Sequence, residues 1–316
     1  MRLQRLRRAL LAAACVSSVL LAACGGGSVV SQFTPSRVVA FGDAMTDAGE
    51  RGTRYTVNDG GNLWSQQVAA RYGLSLTARA AGGTSYATGN ARITAKPDVA
   101  GDAATPTVTE QVTAFLASGA PTANDLVIVQ GGISDIVAET QAVIAGTRTS
   151  AQAATNIEQA ARELAAQVRR LTSAGATHVA LVGAYNLGRS PWATATGQGS
   201  LLSDLTSRFN TQLLISLVDA GDRVLYLDAA LYFNLVTGSP ASYGYRDVTS
   251  VACSSVDPGP GIGTGAGQVS SALCTSGTIT AGVDTGTTVW ADRLYFTPGP
   301  HAGFGNWAWE RLRQRW

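Results

Sequence analysis

Four short stretches of this chain set acids, hydroxyls and amides where a strand ends and a turn begins. The first is Phe41-Gly42-Asp43-Ala44-Met45-Thr46-Asp47-Ala48-Gly49, directly after the apolar run Arg37-Val38-Val39-Ala40. Such a run feeding a glycine-containing turn reads as a buried strand. Its end is where α/β hydrolytic enzymes expose a nucleophile. The others are Tyr86-Ala87-Thr88-Gly89-Asn90-Ala91-Arg92, the strand from Asp125 to Gln130 ending in Gly131-Gly132-Ile133-Ser134-Asp135, and Ala291-Asp292-Arg293-Leu294-Tyr295-Phe296-Thr297-Pro298. Covalent ester hydrolysis needs an oxygen or sulfur nucleophile, a base poised near neutral pH, and donors aimed at the developing oxyanion. At the tip of the first stretch stands Ala44, whose methyl group attacks nothing.

Together the four stretches resemble the blocks of the GDSL, or SGNH, hydrolase family over about residues 36–312. The family block Phe-Gly-Asp-Ser-x-Ser-Asp places its nucleophilic serine at Ala44. Its Gly-x-Asn-Asp block places the oxyanion asparagine at Ser134. Its oxyanion glycine maps to Asn90, with Gly89 adjacent and either register open. Its Ala-Asp-x-x-His-x-Thr-Pro block maps the catalytic base to Tyr295 and the orienting acid to Asp292. The resemblance implies that serine, glycine, asparagine and histidine are all replaced and only the acid is kept.

The loss of one oxyanion donor typically costs about 10²–10³ in rate. Loss of nucleophile or base removes nearly all covalent catalysis, because these groups act as a unit. Tyrosine, with an ordinary pKa of about 10, is a poor base at pH 7. Two residues are candidates for rescue. Thr46 carries a hydroxyl two positions beyond Ala44, at a family position that faces structure. His301 follows Asp292 by nine residues and matches a second, noncatalytic histidine of relatives, a surface or helix-start residue. His178, opening an apolar strand, reads as structural, and Trp64 reads as packing. Asp43, Asp47 and Asp135 converge on strand ends as a cation site would, but the family holds aspartates there as supports for its turns. Two histidines in all, and no Cys/His spacing of the zinc kind, leave no metal and no cofactor to expect.

The elements that must hold these residues follow from periodicity. Apolar strands at 37–41, 125–130, 177–182 and 223–228, with a weaker one at Leu74-Ser75-Leu76, alternate with helices near 63–72, 107–116, 151–173, 201–220 and 304–315. In the 151–173 helix, Ile157, Ala161, Leu164, Val168 and Leu171 share one face. Gly175 and Gly221 follow as stop signals. The expectation is a five-stranded parallel sheet in a three-layer α/β/α sandwich, the flavodoxin-like order that the resemblance also implies.

Arg2, Arg5, Arg7 and Arg8 precede an apolar run from Ala9 to Ala23 of about 15 residues, an export signal too short for a span of about 20. Leu21-Ala22-Ala23-Cys24 resembles a lipoprotein lipobox, which makes Cys24 the acylated N-terminus; ordinary signal cleavage is the alternative. The expected organisation is a signal peptide over 1–23, a flexible tether over 24–35 and one hydrolase-like domain over 36–316. Gly25 after the cysteine favours the outer membrane by analogy with Gram-negative sorting. The 316 residues are 45% hydrophobic and 14% charged with net charge +2, much of it in the leader, so no basic stripe suggests nucleic acid. Export also predicts that Cys253 and Cys274 pair across a Gly/Ser/Pro-rich loop rather than remain free thiols. Two functions follow. One is a lipid-anchored pseudoenzyme that binds an acyl, glycan or polypeptide partner in the old cleft or serves an envelope structure. The other is a residual carboxylesterase or lipase acting on lipid or acylated-sugar esters.

Overall fold

Val38, Val39 and the run Leu126–Val129 have no polar face, so strands built from them must be covered on both sides. The computed structural model, which describes residues 33–259 and 267–316, covers them so. β1 (Arg37–Phe41) pairs in parallel with β2 (Asp125–Gln130), β2 with β3 (His178–Val182), and β3 with β4 (Val224–Leu227). Phe41 lies beside Val129 and Gln130 beside Val182, so the carboxyl ends of the first three strands finish nearly level.

The ladder has four strands, not five. Leu74–Leu76 is not extended pairing; Leu76 packs into the core and the chain turns through Arg79–Ala81. Gly83 then crosses so near Thr77 that a Cβ would lie 2.2 Å from the Thr77 carbonyl oxygen. Residues 84–88 come alongside β1 instead. The Ala40 N–H donates to the Thr84 carbonyl at 3.1 Å, and the Tyr86 N–H donates to the Ala40 carbonyl at 2.7 Å. One bridge, Ala40 to Ser85, therefore stands where a flavodoxin-like sheet has its second strand.

Helices follow as α1 (Trp64–Arg71), α2 (Val108–Ser118), α3 (Ile133–Ile144), α4 (Ser150–Ser173), α5 (Pro191–Thr196), α6 (Gly199–Ile215), α7 (Ala229–Gly238) and α8 (Pro298–Arg315). α2, α4 and α6 pack side by side as one layer, and α1 packs on α8 as the other. The α4 face read from the sequence is buried throughout, and Thr149 caps it by accepting from the Gln152 N–H. α6 ends at Ile215 rather than near Ala220; the chain goes on in turns through residue 219, with Val218 facing solvent and Leu217 still in the core. α8 starts six residues before the predicted Phe304, with Pro298 in its first turn, where a missing N–H costs nothing. No helix among the described residues is long and apolar enough to cross a membrane. Cys24 and the leader lie outside the described residues.

A second, two-stranded parallel pair, β5 (Asp247–Val251) with β6 (Thr288–Trp290), carries the segment that follows it. Cys253 and Cys274 are joined by a disulfide and packed on Val57 and Ala291. Val57 belongs to the 49–62 loop, so the bridge ties two irregular segments to one small cluster. Replacing both cysteines by serine is expected to lower stability by about 3 kcal/mol, the chain-entropy value for a closed loop of about 20 residues. Urea unfolding of the purified domain measures it. A loss below about 1 kcal/mol would mean that hydrogen bonding alone orders the loop.

Candidate functional site

The turn after β1 is held by its own aspartates. Asp43 accepts from the Met45 N–H at 3.2 Å and, with its other oxygen, from the Ile133 N–H at 3.2 Å, which joins the β1 end to the β2 end. Asp47 accepts from the N–H groups of Gly49 (2.9 Å) and Glu50 (2.8 Å), and its second oxygen takes the Gly89 N–H at 2.7 Å. Asp135 is bound by Arg92 Nε at 3.2 Å and the Ile93 N–H at 3.1 Å. Three of the four stretches are thus stitched together through carboxylates. Burial pushes the Asp43 carboxyl up to about 7 and that of Asp47 up to about 6, against the pull of these N–H donors. Among the described residues no group of three or more His, Cys, Asp or Glu side chains is arranged to hold a metal ion.

Asp292, the acid kept by the family resemblance, spends its oxygens on backbone N–H groups of its own turn and of the disulfide segment. One accepts from the N–H groups of Leu294 (2.8 Å) and Tyr295 (2.7 Å), and the other from the Ser271 N–H at 2.8 Å. Burial raises its pKa and these donors oppose the rise. Such a carboxylate organises a turn and orients no imidazole. Tyr295 is 2% exposed, and its hydroxyl is held well above the usual phenol range by desolvation and then by the neighbouring Asp43 charge. It cannot accept a proton at neutral pH.

Tyr55 closes the arrangement. Its ring meets the Tyr295 ring edge-on, with centroids 5.2 Å apart, and lies so near Gly89 that a Cβ there would sit 1.9 Å from Tyr55 Cε2. The second and fourth stretches therefore meet beneath one aromatic side chain. The loop carrying it is anchored to the disulfide segment: the Asn58 N–H donates to the Cys274 carbonyl at 2.7 Å. The Asn58 carboxamide reaches the Arg54 and Cys274 carbonyls, each at 3.1 Å. Ala44 and Ser134 are both 0% exposed and Asn90 is 7% exposed, so the nucleophile position is buried.

The two oxyanion positions differ in kind. Asn90 is the one non-glycine residue with positive φ among the described residues, at 65°, a conformation natural to glycine and tolerated by asparagine. That places the left-handed turn at Asn90, while Gly89 is glycine because of Tyr55. Asn90 Oδ1 is buried without a partner. Ser134, in the first turn of α3, likewise keeps its hydroxyl buried and unpartnered.

The rescue candidates are both spent or enclosed. Thr46 Oγ1 accepts from Trp64 Nε1 at 3.2 Å, and Trp64 is fully buried packing. His301, expected as a surface or helix-start residue, is at the helix start, in the first turn of α8, but is buried at 1% exposed; its Nδ1 accepts from the Trp64 N–H at 3.4 Å. Burial, with the Arg54 charge adding to it, pulls its pKa down to about 3. A histidine that weak and that enclosed is a core residue. His178 stacks on Phe33 with ring centroids 3.7 Å apart, as a structural residue does. Sequence reasoning missed Tyr55 and Asn58. Nothing in 49–62 marks them, because their role comes from contacts with residues 89, 274 and 295.

The family model described as GDSL-like lipase/acylhydrolase matches residues 38–258. No curated protein matches the chain. Among solved structures, a carbohydrate acetylesterase from Sinorhizobium meliloti superposes with a TM-score of 0.47 at 14% identity, covering 87% of this chain and 97% of its own. A protein from Lactobacillus plantarum superposes with a TM-score of 0.38 at 15% identity, covering 65% of this chain and 86% of its own.

Proposed function

The chain belongs to the GDSL-like lipase/acylhydrolase family, and from that premise we propose that it is a retired member, an exported protein anchored by lipidated Cys24 that serves the cell envelope by binding rather than by ester turnover. The observation that carries this reading is that Ala44 and Tyr295, which align with the nucleophile and base positions, are both buried, with Tyr55 set edge-on against the Tyr295 ring. A methyl group cannot form an acyl intermediate, and a phenol of raised pKa cannot draw a proton from water. A binding role in the old cleft would require Tyr55 to move.

The soluble domain is expected to hydrolyse p-nitrophenyl acetate, butyrate and palmitate no faster than an Asp292→Ala protein purified identically. Turnover that disappears with Asp292 would overturn the reading and point to a rebuilt site, with Thr46 and Ser134 the first nucleophiles to replace. Anchoring has its own readout: incorporation of a palmitate analogue in wild type that is lost in Cys24→Ser.

A further inference from the structure

The sheet has a second place where strand ends could receive a ligand, at β3 and β4, away from the closed β1–β2 end. In α/β sheets the carboxyl ends of strands are the usual binding edge. Here a cavity of about 370 Å³ opens between α6, α7 and the end of β4. That size lies within the ~300–1,000 Å³ of small-molecule sites. Its floor depends on Gly183, just past β3, where a Cβ would stand 2.2 Å from Asn210 Oδ1 and 2.8 Å from the Tyr226 hydroxyl.

The walls are ordered by carboxamides. Asn210 grips the Ala184 backbone twice, accepting its N–H at 3.0 Å and donating to its carbonyl at 2.8 Å. Asn186 accepts from Ser203 Oγ at 3.0 Å and donates to Asn234 Oδ1 at 3.1 Å. Three groups among the lining residues keep hydrogen-bonding capacity. The Tyr226 hydroxyl is buried with no partner. Asp228 spends one oxygen on the Leu231 N–H at 2.8 Å and keeps the other. Asn234 uses its oxygen on Asn186 and keeps its amide hydrogens. A hydroxyl, a carboxylate oxygen and an amide donor on the lining of one cavity suit the alternating donors and acceptors of adjacent hydroxyl groups. Leu214 and Ala230 add an apolar surface for a C–H face, and no Lys, Arg or His lines the cavity.

We infer that this cavity binds an uncharged, polyhydroxylated ligand of monosaccharide size. The absence of cationic lining and the presence of Asp228 select against phosphorylated or acidic sugars. The exposed rim at Thr211 leaves room for a substituent, so the ligand is either a free sugar or the terminal unit of a glycan. This inference goes beyond the proposed function and does not depend on whether the β1–β2 cleft turns over any ester.

The test is saturation-transfer NMR and calorimetric titration of the wild-type domain with glucose, galactose, mannose, N-acetylglucosamine and their methyl β-glycosides, with glucose 6-phosphate as the charged control. At least one neutral sugar or glycoside is expected to bind in the millimolar range, and glucose 6-phosphate at least tenfold more weakly than it. A glycoside that outbinds its free sugar identifies a terminal glycan unit, and the reverse a free sugar; both support the site. Tyr226→Phe, which removes one hydroxyl and keeps the ring, is expected to weaken binding about tenfold. Thr211→Arg, at an exposed helix position that tolerates a long side chain, is expected to abolish it. Failure of every neutral probe at 50 mM, equal binding of the phosphate, or binding untouched by both variants would overturn the assignment.

Discussion

An Ala44→Cys substitution is expected to yield a thiol that a small water-soluble disulfide reagent reaches at least about 10³-fold more slowly in the folded protein than in urea, since reaction must wait for a local opening of several kcal/mol. The nucleophile position is fully enclosed, its turn is fastened by Asp43 and Asp47, and Tyr55 lies across the Gly89 and Tyr295 blocks. Cysteine behaves as a small buried hydrophobe, so the swap adds one sulfur atom without a charge. In a soluble form that begins after Cys24, the two remaining cysteines are paired, and the introduced thiol is the only one. Adding Tyr55→Gly is expected to restore at least a hundredfold of the lost rate. A Val129→Cys thiol in the sheet centre should stay protected in both backgrounds, which separates opening of the cover from loosening of the fold. Labelling at the urea rate with Tyr55 intact would mean that the site is open. The case against turnover would then rest on residue identity alone.

The sequence made the sheet legible because parallel strands buried on both faces are continuous apolar runs; β1 to β3 are such runs, and β4 is an apolar run only half-buried at the edge of the sheet. The same rule explains the fifth-strand error. Leu74-Ser75-Leu76 has the right polarity, yet the pairing partner of β1 is the polar stretch 84–88, positioned by the close crossing of Gly83 on Thr77. The polar, turn-bearing blocks of the site were legible too, since aspartates that satisfy several N–H groups must sit at fixed spacing in a turn. What was not legible was access. Tyr55 lies in a stretch with neither periodicity nor motif, and its function as a cover exists only through partners far away in the chain. The helix-start position of His301 was legible, but its burial was not. A histidine next to Pro and Gly reads as exposed, and only the packing of α8 on α1 buries it.

The buried ionisable groups give the second large effect, and the two strongest act in opposite directions. His301 stays neutral in the folded protein, with a pKa of about 3 against about 6.5 unfolded. Below pH 6.5 the unfolded chain binds a proton that the folded one refuses, so stability is lost as pH falls from 6.5 toward 3, at about 1.4 kcal/mol per unit. Asp43 does the reverse. Its carboxyl is raised to about 7 against about 4 unfolded, so the folded state holds a proton the unfolded state has released, and stability is lost as pH rises from 4 to 7. Between pH 4.5 and 6.5 the two slopes offset, and wild-type unfolding should look less pH-dependent than either variant. His301→Asn keeps an acceptor for the Trp64 N–H and removes the titration; relative to wild type it is expected to gain about 2 kcal/mol as pH drops from 6.5 to 4.5. Asp43→Asn is expected to gain about 3 kcal/mol relative to wild type as pH rises from 4.5 to 7. Urea unfolding of the three proteins at four pH values reads both drifts. A constant gap between wild type and His301→Asn would show that the imidazole charges freely in the folded state, and the packing of α8 on α1 would then have to admit water at that ring.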